Sequence, residues 1–91
     1  MKAMEVIREG VVVGHMIMCP GCKCGHFFDQ RWHFSGDLEK PTFDASMLVN
    51  QHDPQTRCHS FVRDGMIQFL DDCAHSLKGQ TLPLEDFEWD K

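Results

Sequence analysis

A chain of 91 residues, of which 42% are hydrophobic, has enough apolar material for one core and excludes a multidomain protein. Its formal net charge of −5 argues against a nucleic-acid-binding protein that relies on phosphate contacts. No signal peptide or membrane span is predicted, because the longest apolar stretch near the N-terminus is short and contains His15. We therefore expect a cytoplasmic protein whose five cysteines are thiols or metal thiolates rather than disulfides.

The first half of the chain is predicted to be rich in β-strands. Residues 5–19 (EVIREGVVVGHMIMC) carry many β-branched side chains and predict one or two strands interrupted at Gly10. A tight turn (CPGCKCG) follows, and residues 26–34 (HFFDQRWHF) then alternate between apolar and polar side chains, as in a half-buried strand. Residues 42–50 (TFDASMLVN) alternate again. One face of this strand is expected to carry Phe43, Ala45, Met47 and Val49.

The second half predicts a hairpin and one short helix. Residues 58–70 (CHSFVRDGMIQFL) form two apolar runs around Asp64 and the glycine after it, and Asp-Gly between such runs is typical of a β-hairpin. In the segment DDCAHSLKG, either Asp71 or Asp72 is expected to cap a short helix that Gly79 closes.

These elements predict a mainly β fold, a small antiparallel sheet with hairpins and one short helix near the C-terminus. At this length a hydrophobic core supplies only about 3–5 kcal/mol of net stability, so one zinc ion is expected to staple the sheet. Residues 1–84 are predicted to form a single zinc-binding domain, and residues 85–91 an acidic, aromatic tail.

Cys19 and Cys22 form a C-x2-C pair in a turn of proline and glycine. Zinc needs thiolates that approach from one side, and a tight turn of small residues aims both sulfurs inward. A redox C-x2-C motif needs a strand before it and a helix after it. Here a strand-like run follows the turn, so metal binding is the preferred interpretation.

The other ligands are expected among the cysteines and histidines of the second half. Neighbouring residues on a strand point to opposite faces, so Cys58 and His59 are not both expected to reach one ion. Within a helix, Cys73 and His75 would lie ~200° apart, which favours only one of them. We predict four thiolate ligands with two histidines in reserve. The predicted ligands are Cys19, Cys22, Cys58 and Cys73, and the reserve ligands are His59 and His75.

Other residues near these positions have simpler interpretations. Cys24 is expected to pack in the core, because free cysteine behaves as a small hydrophobe. His26 lies next to the turn and is either structural or a partner of a metal ligand. The chain has no H-E-x-x-H run, no G-x-S-x-G elbow, no glycine-rich phosphate loop and no zinc-deaminase motif. The paired carboxylates, Asp71 with Asp72 and Glu85 with Asp86, are interpreted as caps and solvated charges.

The segments CPGC, GDLEKPTF and RCHSFVRDGMIQFLDDCAHSLKGQTLPL resemble a family of small uncharacterised proteins from bacteriophages and prophages. The resemblance runs from about Cys19 to Leu84 and is most specific from Cys58 to Thr81. Members often carry the label "ammonia monooxygenase", which names a membrane-bound copper complex and does not fit this chain. The resemblance implies a small zinc-binding β-domain in a host bacterial cell and supplies no activity. Its motif includes Cys19, Cys22, Cys58, His59, Cys73 and His75, lacks Cys24, and usually has proline in place of Ala45.

The function expected from these observations is non-enzymatic: a zinc-stabilised phage protein that binds a host or phage protein, for example a defence factor. The alternatives are a metal-dependent enzyme whose zinc keeps an open position near His26, His59 or His75, and a virion or assembly component. A second copy of the chain is a candidate partner, whereas a membrane or nucleic acid is not expected.

The C-terminal tail is the predicted partner-binding segment. Phe87 and Trp89 lie among acidic residues, and such aromatics suit a basic, hydrophobic groove on another protein. Two alternatives remain open, a solvated tail or aromatic side chains packed on the chain's own sheet.

Overall fold

Eight β-strands form the regular structure of residues 1–86, the part of the chain that the computed structural model describes. Their β-branched and alternating sequences account for most of them. The mainly β, antiparallel fold is therefore confirmed. The strands are β1 (Ala3–Arg8), β2 (Val11–Cys19), β3 (Cys24–Asp29), β4 (Phe34–Gly36), β5 (Pro41–Val49), β6 (Cys58–Arg63), β7 (Met66–Phe69) and β8 (Thr81–Pro83).

The strands form two antiparallel sheets, one with the order β1-β2-β3 and one with the order β4-β5-β6-β7-β8. Two of the connections are tight turns with positive φ at both central residues. They are Glu9 (53°) with Gly10 (78°), and Asp64 (51°) with Gly65 (76°). Such turns match the twist of antiparallel strands. The predicted break at Gly10 and the predicted Asp-Gly hairpin are both confirmed.

The two sheets enclose a common core in which aromatic rings from each sheet meet. Phe28 of β3 stacks on Phe43 of β5 with ring centroids 4.1 Å apart, and Trp32 packs edge-on against Phe28 at 5.4 Å. Both phenylalanines are fully buried. Burying a large aromatic side chain contributes about 1.5–3 kcal/mol, so this stack is a major link between the sheets.

A bulge interrupts strand β5 where it faces β6. Phe43 pairs with Val62 and Met47 pairs with Ser60, so residues 44–46 lie opposite the single residue between those partners. Ala45 has a φ of 73°, a left-handed conformation that costs a non-glycine residue about 1–2 kcal/mol. The expectation that Ala45 shares the buried face is wrong, because the bulge leaves its side chain exposed.

The predicted short helix after β7 is not formed, and residues 70–79 are a series of turns. Two of their backbone N–H groups bond to β6 and to the residue before it instead of continuing an i to i−4 series. Leu70 N donates to His59 O at 2.9 Å, and Ala74 N donates to Arg57 O at 2.8 Å. Docking against β6 therefore replaces the helix.

Two further expectations concern the ends of the fold. Within residues 1–86, no helix is long and apolar enough to cross a membrane. The predicted partner-binding residues Phe87 and Trp89 lie outside the described residues, so their role stays a prediction. The domain boundary after Leu84 is untested, although Leu84 itself is buried in the core.

Candidate active site and candidate metal centre

The bulge in β5 presents Ser46 on the outer face of the five-stranded sheet, away from the core. Its neighbour in sequence, Met47, is buried, and alternation along the strand places the serine on the opposite side. The backbone carbonyl of Ser46 accepts a hydrogen bond from Trp32 Nε1 at 3.2 Å. Since Trp32 is itself packed on Phe28, the core holds the backbone of this serine in place.

His59 lies beside Ser46 on the adjacent strand, β6. Cys58 and Ser60 are buried, so His59 between them faces outward, as alternation requires. His59 Nε2 lies 2.9 Å from Ser46 Oγ. His59 Nδ1 lies 3.1 Å and 3.2 Å from the two carboxylate oxygens of Asp72. One imidazole thus contacts a hydroxyl and a carboxylate through its two nitrogens.

The hydrogen-bond pattern determines which nitrogen of His59 carries the proton. A carboxylate only accepts hydrogen bonds, so Nδ1–H donates to Asp72 and Nε2 is left to accept the hydroxyl proton of Ser46. In this arrangement a histidine is ready to deprotonate a serine while an aspartate orients it and stabilises its cationic form. Ser46, His59 and Asp72 therefore have the geometry of a nucleophile, a general base and an orienting acid.

Sequence reasoning missed this triad. It interpreted Asp72 as a helix cap, kept His59 as a reserve metal ligand and did not consider Ser46. No linear motif was present to find it, because the three residues come from a bulged strand, a neighbouring strand and a turn. The equal spacing of 13 residues between successive members is not a known catalytic signature.

A separate cluster lies on the inner side of β6. Cys19, Cys22, Cys58 and His75 place one potential ligand atom each within 4.8 Å of one another. Cys19 is the last residue of β2, Cys22 lies in the predicted tight turn that follows, and Cys58 is the first residue of β6. The fourth member is the reserve ligand His75 rather than Cys73.

The position of Cys73 differs from the prediction that it completes a set of four thiolates. Its sulfur accepts a hydrogen bond from His59 N at 3.1 Å and donates one to His59 O at 3.1 Å. The prediction assumed a helix, in which Cys73 and His75 would compete. In the observed turns, His75 faces the cluster and Cys73 faces the backbone of β6.

The spacing of the cluster fits a tetrahedral metal ion. With Zn–S bonds of about 2.3 Å and Zn–N bonds of about 2.0–2.1 Å, tetrahedral ligands lie about 3.8 Å apart for two sulfurs and about 3.5 Å for sulfur and nitrogen. The Cys19 and Cys58 sulfurs are 4.0 Å apart, and Cys58 Sγ lies 3.5 Å from His75 Nε2. The four side chains therefore form a possible metal-binding site.

The surrounding chain supports this spacing. Cys22 N donates a hydrogen bond to Cys19 Sγ at 3.3 Å, as backbone amides do towards ligating thiolates. A Cβ atom at Gly21 would collide with the ring of His75, so only glycine allows this close approach. The His75 ring also packs edge-on against Phe69, with centroids 4.5 Å apart. The turn that contains Gly21 and the ring of His75 therefore pack closely against each other.

The proton affinities of the three sulfurs differ strongly. The pKa of Cys19 is lowered to about 3, first by the hydrogen bond from Cys58 and also by the neighbouring His26. The pKa of Cys22 is raised to about 11 by burial and by the charge on Cys19. The hydrogen bond with Cys19, together with burial, raises the pKa of Cys58. One thiolate is therefore stable in this cluster without a cation, and further ionisation needs a bound positive charge.

His26 and Cys24 flank the cluster on β3. His26 is buried, and its Nε2 atom has no hydrogen-bond partner among residues 1–86. An unpaired buried nitrogen next to a thiolate is consistent with a supporting role towards a ligand. Cys24 is exposed, so the expectation that it packs in the core is wrong. None of the five cysteines forms a disulfide.

The triad and the cluster draw on the same two segments. In β6, Cys58 faces the cluster while His59 faces the triad, which agrees with the expectation that the two would not reach one ion. In the turns after β7, Asp72 contacts His59 while His75 joins the cluster. Any ion held by Cys58 and His75 would therefore connect the strand of the base to the segment of the acid.

Comparison with known proteins identifies one family. The family model described as "BubE: Bacterial ubiquitination-like system serine protease (BubE)" matches residues 2–70, about three quarters of the chain. Ser46 and His59 lie within the match, and Asp72 lies just beyond its end. No curated protein and no solved structure matches this chain.

The family match corrects the functional expectations. A non-enzymatic phage protein that binds a host factor is wrong, because the matched family is described as a serine protease of a bacterial system. The two alternatives, a metal-dependent enzyme and a virion or assembly component, do not match this family description either. A family does span most of the chain, as the resemblance implied, but neither the phage and prophage origin nor the zinc-binding identity of the expected family has support.

Proposed function

The chain belongs to the BubE family of bacterial ubiquitination-like system serine proteases, and from this we propose that it is a serine peptidase acting within such a system. The observation that carries the proposal is the pair of contacts made by His59, to the hydroxyl of Ser46 and to the carboxylate of Asp72. The family description calls for a serine nucleophile, and Ser46 has the histidine partner that such a nucleophile requires.

The proposed reaction is acyl transfer in two stages. Ser46 Oγ attacks the scissile carbonyl carbon while its proton passes to His59 Nε2, and Asp72 stabilises the resulting imidazolium. As the tetrahedral intermediate collapses, His59 returns this proton to the leaving amine and an acyl-serine remains. A water molecule then adds its oxygen to the acyl carbon while His59 takes one of its protons. When this second tetrahedral intermediate collapses, His59 gives that proton to Ser46 Oγ, which releases the acid and restores Ser46.

The bulge in β5 is the best candidate for stabilising the developing oxyanion. No residue of β6 pairs with Asp44, Ala45 or Ser46, so their backbone leaves the regular ladder at the nucleophile. Asp44 N already donates to His33 O, so the N–H groups of Ala45 and Ser46 are the proposed donors to the oxyanion. The left-handed conformation of Ala45 is the kind of backbone strain that occurs at active sites.

A shallow groove on the same face of the sheet offers a place for the substrate chain. Its volume is about 240 Å³, and Phe61 and Arg63 line it with residues of β7 and β8. Phe61 lies two residues from His59 on the same face of β6, a distance of about 7 Å. Arg63 stacks over the Phe61 ring at 4.3 Å, and Asp64 also lines the groove, so charges of both signs border an apolar floor.

Zinc is the proposed occupant of the Cys19, Cys22, Cys58 and His75 cluster. Three thiolates and one imidazole, whose ligand atoms all lie within 4.8 Å of one another, are a donor set typical of structural zinc. Four protein ligands close the coordination sphere, so the ion supplies a cross-link and takes no part in the acyl transfer. Its role is to hold β6, the turn before β3 and the turns after β7 together.

The proposal is tested by labelling the nucleophile. A fluorophosphonate probe should modify one serine per chain, and peptide mapping should identify Ser46. Ser46→Ala should abolish labelling and lower kcat for the hydrolysis of p-nitrophenyl acetate. Loss of a serine nucleophile can lower kcat by up to roughly 10⁶-fold, which is the upper limit of the expected effect. Ser35→Ala is the control, because Ser35 is exposed on β4 and the side chain of His59 bonds to Ser46 and Asp72 instead.

The ester assay needs one safeguard, because simple esters also react with thiols and imidazoles. The comparison therefore rests on the difference between Ser46→Ala and Ser35→Ala, each with its metal content measured. Full labelling of Ser46→Ala, or unchanged ester hydrolysis by it, would contradict the assignment.

A further inference from the structure

Cys73 occupies a place in the β6–β7 ladder that a backbone carbonyl would normally fill. The regular pairing of the two strands ends at Ser60 with Phe69. The next rung is half formed, because Leu70 N donates to His59 O at 2.9 Å. The carbonyl of Leu70 has turned away to accept Cys73 N at 3.2 Å, so it does not receive the N–H of His59.

The thiol of Cys73 completes this rung. Its sulfur accepts a hydrogen bond from His59 N at 3.1 Å and its S–H donates to His59 O at 3.1 Å. The side chain is 5% exposed, so water does not replace these contacts readily. Without the sulfur, a buried N–H at the residue of the general base would lack a partner, which costs stability and lets the strand shift.

The position of Cys73 in the chain gives this contact a consequence for the triad. Cys73 directly follows Asp72, whose carboxylate lies 3.1 Å from His59 Nδ1. One short segment therefore holds His59 at two points, by its imidazole and by its backbone. Asp72 is 45% exposed, so its own surroundings restrain it weakly and the neighbouring thiol supplies the restraint.

We propose that Cys73 is a positioning residue of the triad, whose thiol holds the backbone of His59 against the segment that carries Asp72. The inference rests on the proposed function for its kinetic consequence, but its structural content concerns the His59–Asp72 contact alone. Cys73 lies outside the cluster of Cys19, Cys22, Cys58 and His75, so this role is separate from metal binding.

Three substitutions separate positioning from other roles. Cys73→Ala removes the hydrogen bonds and leaves a small cavity, and Cys73→Val removes them while filling the space. Cys73→Ser keeps a donor and an acceptor at the same position. Cys24→Ala is the control, because Cys24 is an exposed thiol outside the cluster.

Two measurements are made on each zinc-loaded variant. The first is kcat and KM for p-nitrophenyl acetate together with the rate of fluorophosphonate labelling. The second is the low-field proton resonance of His59 Nδ1–H bonded to Asp72, which does not depend on activity. Zinc per chain and melting temperature are recorded alongside.

We expect Cys73→Ala and Cys73→Val to lower kcat and the labelling rate by roughly 10- to 100-fold, the effect of a displacement of about 1 Å, with KM and zinc content unchanged. Their low-field resonance should shift or broaden. Cys73→Ser should recover most of the lost rate and a resonance close to that of the parent chain. Cys24→Ala should match the parent chain in both measurements. If Cys73→Ala does not fold, Cys73→Val and Cys73→Ser carry the comparison.

The result that overturns the proposal is a parent-like resonance in both Cys73→Ala and Cys73→Val, or no recovery in Cys73→Ser. Loss of zinc in step with loss of activity would also overturn it, because Cys73 would then be a ligand. If the parent chain is not labelled at Ser46 but the resonance changes as expected, the proposed function fails and the positioning contact stands.

Discussion

Replacing Asp72 by asparagine tests the solvent-exposed member of the triad. The carboxylate lies 3.1 Å and 3.2 Å from His59 Nδ1, but its side chain is 45% exposed. Asparagine is nearly isosteric and neutral, so Asp72→Asn removes the charge that stabilises the imidazolium while leaving the fold intact. The expected result is a lower kcat with little change in KM, because the imidazolium forms only in the reaction.

The magnitude follows from the exposure of the pair. Two unit charges about 4 Å apart attract by about 1 kcal/mol in water and by about 4 kcal/mol at the effective dielectric constant typical of a protein surface. At 25 °C these energies correspond to losses of about 5-fold and about 1,000-fold in kcat. The expected loss lies between these values and below the roughly 10⁴-fold loss seen when the aspartate of a buried triad is changed to asparagine.

The assay compares Asp72→Asn with Asp71→Asn. Asp71 is the neighbouring exposed carboxylate and makes no hydrogen bond to His59, so it matches the change in net charge without touching the triad. Ester hydrolysis and fluorophosphonate labelling should fall only for Asp72→Asn. Equal losses in the two variants would show that general electrostatics is responsible, and no loss at Asp72 would refute its role as the orienting acid.

The remaining predictions concern the metal centre. Cys22→Ser should abolish stoichiometric zinc and lower the melting temperature by about 10 °C or more, because metal binding contributes folding free energy that a small domain needs. Cys24→Ser, at an exposed thiol outside the cluster, should change neither quantity, and equal effects at the two positions would contradict the ligand assignment. At neutral pH, zinc binding should release about two protons, since Cys19 with a pKa of about 3 is already a thiolate while Cys22, at about 11, and Cys58 are protonated. Zinc affinity should therefore fall as pH falls. Calorimetry in buffers of different ionisation enthalpy measures the number of protons released, and binding heats that do not depend on the buffer would refute the predicted release.

Features set by neighbouring residues could be predicted from the sequence. β-branched and alternating residues indicated strands, and Gly10 and Asp64-Gly65 indicated hairpin turns, because the preference for positive φ belongs to the residues themselves. The C-x2-C turn was also predicted, and in the structure its two cysteines lie in one cluster with Cys58.

Features set by contacts between distant segments could not be predicted. The segment after β7 has the sequence of a capped helix, but its N–H groups bond to β6, and this docking turns His75 towards the cluster and Cys73 towards His59. The expected alternation at Ala45 failed because a bulge depends on the register between two strands.

The contact of Ser46, His59 and Asp72 belongs entirely to this second group. The absence of a linear motif suggested a non-enzymatic protein, but a serine, a histidine and an aspartate need only meet in space. The sequence by itself determined a small β-protein with thiols placed for a metal. Only the tertiary structure decided that Ser46, His59 and Asp72 meet, because their contact requires a bulge, strand alternation and a docked turn at once.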